Sequence, residues 1–175
     1  RGASVTLIAG PTHLPTPVCV ERVDGTTAQE MYKAVLAASG TADALLMAAA
    51  VADFRPSDVA AQKIKKRHGE KPLQLTRTSD VLMAVAERRT KEQFPRIVVG
   101  FAAESENLVE NARVKLAAKQ LDLLVANDIT AHDAGFVTET NRVAILAPDQ
   151  EVEQLPLMSK AAVAETVMDR LIALL

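Results

Sequence analysis

Three nearly unbroken apolar runs constrain this chain most: DALLMAAAVA from Asp43 to Ala52, RIVVGFAA from Arg96 to Ala103 and LDLLVAN from Leu121 to Asn127. Each has the length of a strand, and none alternates apolar with polar residues as a half-exposed strand does. Strands buried on both faces belong to parallel sheets covered by helices. The segments between the runs carry the helical period instead. After Thr78 or Ser79 as a cap, Asp80, Val81, Leu82, Val85 and Ala86 mark one helix, and Ser105 to Gln120 makes another. Alternation at this spacing predicts an α/β fold: a doubly wound, mainly parallel Rossmann-like sheet with helices on both faces, as one domain over residues 1–175.

The rest of the chain fits that scheme. Ser4 to Gly10 reads as a buried strand, followed by PTHLPTP, which supports neither a helix nor a central strand. Val18 to Val23 is a short strand. Thr27 and Glu30 form a capping box for a helix reaching about Ala38, with Gly40 as its stop. Leu73 to Arg77 and Arg142 to Ala147 are further strands. Ser159 opens a last helix with Val163, Val167, Leu171 and Leu174 on one face.

Composition narrows the function classes. The chain is 49% hydrophobic but only 3% aromatic, and its net charge is -2, so no global basic field attracts nucleic acid. No partner nucleic acid and no membrane are expected, because the longest uncharged apolar run, Ala44 to Ala52, falls far short of the roughly 20 residues that a span needs. The single cysteine, Cys19, has no internal disulfide partner, and RGASVTLIAG carries no signal-peptide pattern. A cytoplasmic location is the expectation. His13, His68 and His132 show no metal-ligand spacing. The seven glycines supply no Gly-x-Gly-x-x-Gly turn for a nicotinamide cofactor.

In doubly wound sheets, ligands bind outside the carboxyl ends of the strands. Here those ends read AAVADFRP, GFAAES and VANDIT, each passing through small residues that admit a ligand close to the backbone. Alanines at one strand end can equally make room for a helix; three such ends together favour a site. Beyond AAVADFRP, Lys63, Lys65 and Lys66 fall within four residues. A lysine run alone is compatible with a solvated, protease-sensitive loop, but gathered like charges also fit an anion. Lys115 and Lys119 share a helical stripe with Leu108 and Ala112, and TSDVL opens a helix whose free N–H groups suit a phosphate. A polyphosphate ligand accounts for all of these. Asn127 and Asp128 fit both a site and a simple turn, and are left outside the predicted site.

AAVADFRP followed by KIKK, then SDVL, VGFAAES, a helix with two lysines and DLLVAND closely resembles phosphopantothenoylcysteine synthetase, or phosphopantothenate-cysteine ligase, of the CTP-using bacterial type. That domain is the C-terminal part of a bifunctional coenzyme A biosynthesis flavoprotein. The resemblance runs from Gly2 to the last helix. It implies an enzyme that activates 4'-phosphopantothenate with CTP and Mg2+ to an acyl-cytidylate, then couples it to L-cysteine, releasing CMP. It also implies a homodimer, fused to or assembled with a decarboxylase half that carries FMN. Its nucleotide contacts fall on Met47, Ala48, Ala49, Asp53, Lys63, Ser79, Asp80, Val81, Leu82, Phe101, Lys115 and Lys119. Lys63 is the expected catalytic group.

Two departures bear on activity. Where the family often has Asn-Pro-Asp at the helix start, this chain has Thr78-Ser79-Asp80, which spares backbone contacts but not side-chain ones. The family's leading strand, glycine-rich turn and Asn-Ser-Ser-Gly-Lys stretch are expected to be missing ahead of Arg1. The 175 residues are therefore expected to bind CTP without making product. A noncatalytic nucleotide-binding or dimerisation module is the alternative.

Overall fold

The computed structural model of the chain describes residues 1–63, 72–104, 106–128 and 139–175. Its elements are β1 (Val5–Ala9), β2 (Val20–Asp24), α1 (Ala28–Ser39), β3 (Ala44–Met47), β4 (Phe54–Pro56), β5 (Leu75–Arg77), α2 (Val81–Glu92), β6 (Ile97–Glu104), α3 (Leu108–Ala118), β7 (Leu123–Asp128), β8 (Thr140–Asn141), β9 (Val143–Leu146), β10 (Glu153–Gln154), β11 (Met158–Ser159) and α4 (Lys160–Ile172). They group into two units: Arg1–Ala34 with Ala50–Asp80, and Val35–Ala49 with Val81–Leu175.

In the first unit β1 and β2 pair in parallel, from Val5 opposite Val20 to Ala9 opposite Asp24. The proline-rich segment between them belongs to no helix or strand, as its composition requires. Arg22 holds that segment, donating to the Leu14 carbonyl at 2.9 Å while its Nε meets Asp24 at 2.7 Å. The capping box at α1 is reciprocal. Glu30 accepts from the N–H of Thr26 at 2.7 Å and of Thr27 at 3.0 Å, while the Glu30 N–H donates to the Thr27 hydroxyl at 3.2 Å. Those backbone donors, Thr26 foremost, hold the Glu30 carboxyl below its ordinary value. Later in this unit β4 and β5 form an antiparallel arm with Phe54 opposite Arg77 and Pro56 opposite Leu75.

The second unit holds a five-stranded sheet in the order β10-β9-β7-β6-β3. β3, β6 and β7 are parallel, and β9 and β10 run antiparallel to their neighbours. Alternation across the pleat divides the core. Ile97, Val99, Leu123, Val125, Val143 and Ile145 pack with Val163, Val167 and Leu171 of α4. Their strand neighbours Val98, Leu124, Ala126, Ala144 and Leu146 are equally buried and turn to the other face, where α3 buries Ala112 and Leu116. The sheet is therefore mixed, with the three strands that the apolar runs predict, β3, β6 and β7, forming its parallel part and helices on both faces.

Several boundaries differ from the sequence expectation. The strand expected over Asp43 to Ala52 ends at Met47, opposite Gly100, and Ala48, Ala49 and Ala50 are exposed. Beyond that point β6 continues its ladder with β7 alone, so the later alanines have no partner on that side. Gly40 follows the last residue of α1 without a positive φ. Its use is space: a Cβ there would lie 2.6 Å from the guanidinium of Arg88, which hydrogen-bonds the Leu36 carbonyl. α3 begins at Leu108 behind Asn107 in a left-handed conformation, whereas Ser105, its expected start, lies outside the described residues. Leu174 follows the end of α4 and is exposed, because the helical period stops at Ile172. Ser159 caps α4 as expected, accepting from the Ala162 N–H at 3.2 Å.

Candidate functional site

The predicted site residues fall into both units. In the first, the arm of β4 and β5 closes at its foot through Thr78. The Thr78 N–H donates to the Asp53 carbonyl at 2.9 Å, and its hydroxyl donates to the Ala52 carbonyl at 2.6 Å. Asp53 is thus held beside the Thr78-Ser79-Asp80 turn, although 25 positions separate Asp53 from Thr78. Further out, the Ser57 N–H donates to the Gln74 carbonyl at 3.0 Å, and Lys63 is exposed within the loop that this bond closes. Lys65 and Lys66 lie outside the described residues. The foot therefore joins two pieces of the predicted site, Asp53 and the 79–80 turn, and carries the loop bearing Lys63.

In the second unit the carboxyl ends of β3 and β6 bring Ala48, Ala49 and Phe101 to one edge of the sheet. Met47 and Phe101 turn to opposite faces. Ala44 packs with the α4 core, so Met47, three residues on, faces the other way and is buried. Phe101 lies opposite Val125 on the α4 face and is 38% exposed. A ligand at this edge meets the backbone beside Met47 and the ring of Phe101. Val81 and Leu82 bury their side chains in the first turn of α2, so what they can offer a ligand is their backbone N–H groups, which have no intrahelical acceptor.

The two lysines of α3 are placed differently. The buried row is Ala112 and Leu116; Lys115 is exposed and Lys119 half-buried. Leu116, not Lys115, continues the inward row, because hydrophobic burial fixes the rotation of the helix. The chain after Lys119 passes to Asp122, whose N–H donates to the Val98 carbonyl at 3.0 Å. That places the last turn of α3 at the amino ends of β6 and β7, about 10 Å along β6 from Phe101. A cavity of about 390 Å³ lies at this same end, lined by Arg89, Thr90, Gln93, Arg96 and Gln120. Its Arg89 is already committed to Asp122 at 2.9 Å, to the Gln120 carbonyl at 3.1 Å and to the Arg96 carbonyl.

One residue left outside the predicted site has a distinctive setting. Asn127 lies within β7 rather than in a turn, opposite Ala103 and Val143. Its Oδ1 is buried without a hydrogen-bond partner among the described residues. The Asn-Asp pair at a strand end was the available signal, and turn propensity alone argued against it. Among the described residues no group of three or more His, Cys, Asp or Glu is placed to hold a metal ion. No helix of the described residues is long and apolar enough to cross a membrane.

Comparison with known proteins gives one consistent picture. Residues 1–175 match the family model described as DFP, the DNA/pantothenate metabolism flavoprotein C-terminal domain. The coenzyme A biosynthesis bifunctional protein CoaBC of Bacillus subtilis (strain 168) is 44% identical over 174 residues, covering 99% of this chain and 42% of that protein. The protein of the same name from Vibrio parahaemolyticus is 39% identical over 172 residues, 97% of this chain and 42% of that one. The crystal structure of the C-terminal domain of a coenzyme A biosynthesis bifunctional protein CoaBC superposes with a TM-score of 0.78 at 34% identity, covering 97% of this chain and 74% of that one. The chain thus spans about two fifths of the length of the curated relatives it matches.

Proposed function

The chain belongs to the family of DNA/pantothenate metabolism flavoprotein C-terminal domains, and from that premise we propose that it is the amide-forming ligase half of a coenzyme A biosynthesis enzyme. In this reading a carboxylate oxygen of 4'-phosphopantothenate attacks the α-phosphorus of CTP, and pyrophosphate leaves. The amine of L-cysteine then attacks the acyl carbon of the acyl-cytidylate, the amine loses a proton, and CMP departs. The observation that carries the reading is the foot of the β4–β5 arm, where Thr78 bonds to Ala52 and Asp53, so that the segments before and after the lysine-rich stretch of sequence meet.

Such a transfer builds negative charge on the α-phosphate and on the leaving pyrophosphate, so its catalysis is chiefly fixed positive charge. Lys63 supplies an ammonium on the loop of the arm. The free N–H groups at the start of α2 supply oriented dipoles at Val81 and Leu82. Phe101 offers a partly exposed ring to the base, and Ala48 and Ala49 leave room for the ribose beside the backbone. We assign Lys115 and Lys119 to the same nucleotide on the resemblance alone. The magnesium ion that accompanies a triphosphate takes its ligands largely from phosphate and water oxygens, so no cluster of protein carboxylates is required.

The partners belong to the same proposal. The relatives are bifunctional proteins more than twice as long as this chain, and an FMN-bearing decarboxylase half joined to this domain fits that length. A homodimer is supported by the arm, since Phe54, Pro56 and Leu75 share one face of an isolated pair of strands, with Phe54 54% and Leu75 56% exposed. Two-stranded arms are marginal in water unless such a face is covered. The test is pyrophosphate release. The complete enzyme should release about one equivalent per site from CTP and phosphopantothenate without cysteine. Pyrophosphate release that requires cysteine refutes the stepwise route, and no release with any nucleoside triphosphate refutes the ligase reading.

A further inference from the structure

A buried acceptor without a donor is a defect unless something else supplies the hydrogen bond. Leaving such a group unpaired costs about 1–3 kcal/mol, and native folds keep few of them. Asn127 Oδ1 is such an acceptor among the described residues. Its position gives the vacancy a direction. Asn127 lies opposite Ala103, two residues beyond the Phe101–Val125 pair, so the pleat puts Asn127 and Phe101 on the same face of the sheet. Both stand towards the carboxyl ends of their strands. Ala103 beside Asn127 is small and exposed, and Phe101 is partly exposed, whereas Val143 on the other flank is buried. Asn127 is thus flanked towards β9 by the buried Val143, and towards β6 by the small, exposed Ala103 with the partly exposed ring of Phe101 one diagonal step away. An exposed ring with an unsatisfied amide acceptor one diagonal step away is the arrangement that takes a flat heterocycle bearing an amino group, with stacking from the ring and a hydrogen bond from the amide.

We propose that Asn127 is a specificity residue of the nucleotide site, its Oδ1 accepting a hydrogen bond from the exocyclic amino group of a bound cytosine. This inference rests on the nucleotide-binding reading above. It deepens that reading by naming what distinguishes cytosine from uracil. Uracil presents a carbonyl oxygen where cytosine has the amine, and that oxygen would leave two acceptors facing each other in a dry site. Sites built to satisfy a buried polar group discriminate strongly against the analogue that lacks the matching group.

Calorimetric titration of the chain with CTP and with UTP tests the proposal, since the two differ at the base edge alone. The parent protein should bind CTP about tenfold or more tightly than UTP. In Asn127→Ala and Asn127→Leu the ratio should fall towards one, chiefly through weaker CTP binding. Asn127→Asp keeps an acceptor, so it should keep the preference even where its charge weakens both nucleotides. Thermal unfolding supplies the readout that a purely structural asparagine would fail. Removing an unpaired buried carbonyl should leave the unliganded Asn127→Leu protein at least as stable as the parent. A CTP-to-UTP ratio unchanged in the Ala and Leu variants overturns the proposal while leaving the ligase reading intact, and loss of folding in both variants overturns it in favour of a structural role. A parent that binds neither nucleotide overturns both.

Discussion

Gly100→Ala is the substitution whose consequence follows most directly from the packing. Gly100 sits in β6 between Met47 of β3 and Leu124 of β7. A Cβ built there would lie 2.5 Å from Leu121 Cδ1 and 3.2 Å from Leu124 Cδ1. Neither leucine has room to retreat, being 3% and 2% exposed. Leu121 would have to move by about 1 Å to restore an ordinary contact. Overpacking of this kind costs about 1–3 kcal/mol. Against it, alanine restricts the unfolded chain and recovers about 0.4–1 kcal/mol, because the φ at this position is not one that excludes a side chain. The midpoints of the two ranges leave a net loss of about 1 kcal/mol, which for a domain of this size lowers Tm by about 2–4 °C. Gly10→Ala is the paired control. Its Cβ would meet only Met31 Cε, at 3.8 Å, so stability should hold or rise slightly. Since Phe101 is the next residue, Gly100→Ala should also weaken CTP binding, whereas loss of stability elsewhere in the sheet should not. Thermal unfolding and calorimetry on the two variants decide the matter. A Gly100→Ala protein at or above the parental Tm refutes the packing argument, as does a Gly10→Ala protein that loses as much.

Lys63→Gln keeps the length of the side chain and removes the charge, so turnover in the complete enzyme should fall about a hundredfold with little change in Tm; an unchanged kcat removes Lys63 from the mechanism. Phe54→Ala should weaken a dimer by about tenfold in light scattering or sedimentation, and a monomeric parent protein at micromolar concentration disproves that interface. Acid should expose two carboxylates: Glu30, held low chiefly by the Thr26 and Thr27 N–H groups, and Glu153, held low by the Arg170 guanidinium at 2.8 and 2.6 Å. Because their folded-state pKa values lie below the unfolded value of about 4.3, their contribution is complete above that pH and disappears as pH falls through the folded values. Glu30→Gln should therefore flatten the acid side of a Tm-against-pH curve and leave the shape near neutrality unaltered, and an unaltered acid limb contradicts the assignment.

The sequence made the sheet legible because burial on two faces leaves a simple trace. β6 and β7 lie within one or two residues of the runs that announced them, and the capping residues Thr27, Glu30 and Ser159 act through the hydrogen bonds that their spacing foretells. What the sequence concealed depends on neighbours distant along the chain. The strand expected from Asp43 to Ala52 reads as ten residues by composition but forms only over the four from Ala44 to Met47, since a ladder stops where its partner turns elsewhere. Gly40 resembles a helix stop by position, and only the arrangement of α2 reveals that Arg88 needs the space.

The same distinction separates the legible part of the site from the hidden part. Lys63 and the turn at Ser79 and Asp80 are visible as motifs because charge and helix capping are local chemistry. The bonds from Thr78 to Ala52 and Asp53 are not, yet they bring those motifs together across the arm. Asn127 is the extreme case. An asparagine followed by aspartate carries strong turn propensity, but in β7 it is one rung of a parallel ladder in which the residues before it, Leu123 to Ala126, are apolar. Hydrophobic burial of Leu123 to Ala126 draws the strand into the sheet and takes the carboxamide with it, against its local preference. Sequence-level rules fail most informatively where a polar group is carried into a core with no partner of its own, because folding alone gives no return for that placement and binding can. The unpartnered carboxamide of Asn127 therefore suits a ligand contact, whereas the shortened strand at Met47 reflects only the limits of pairing.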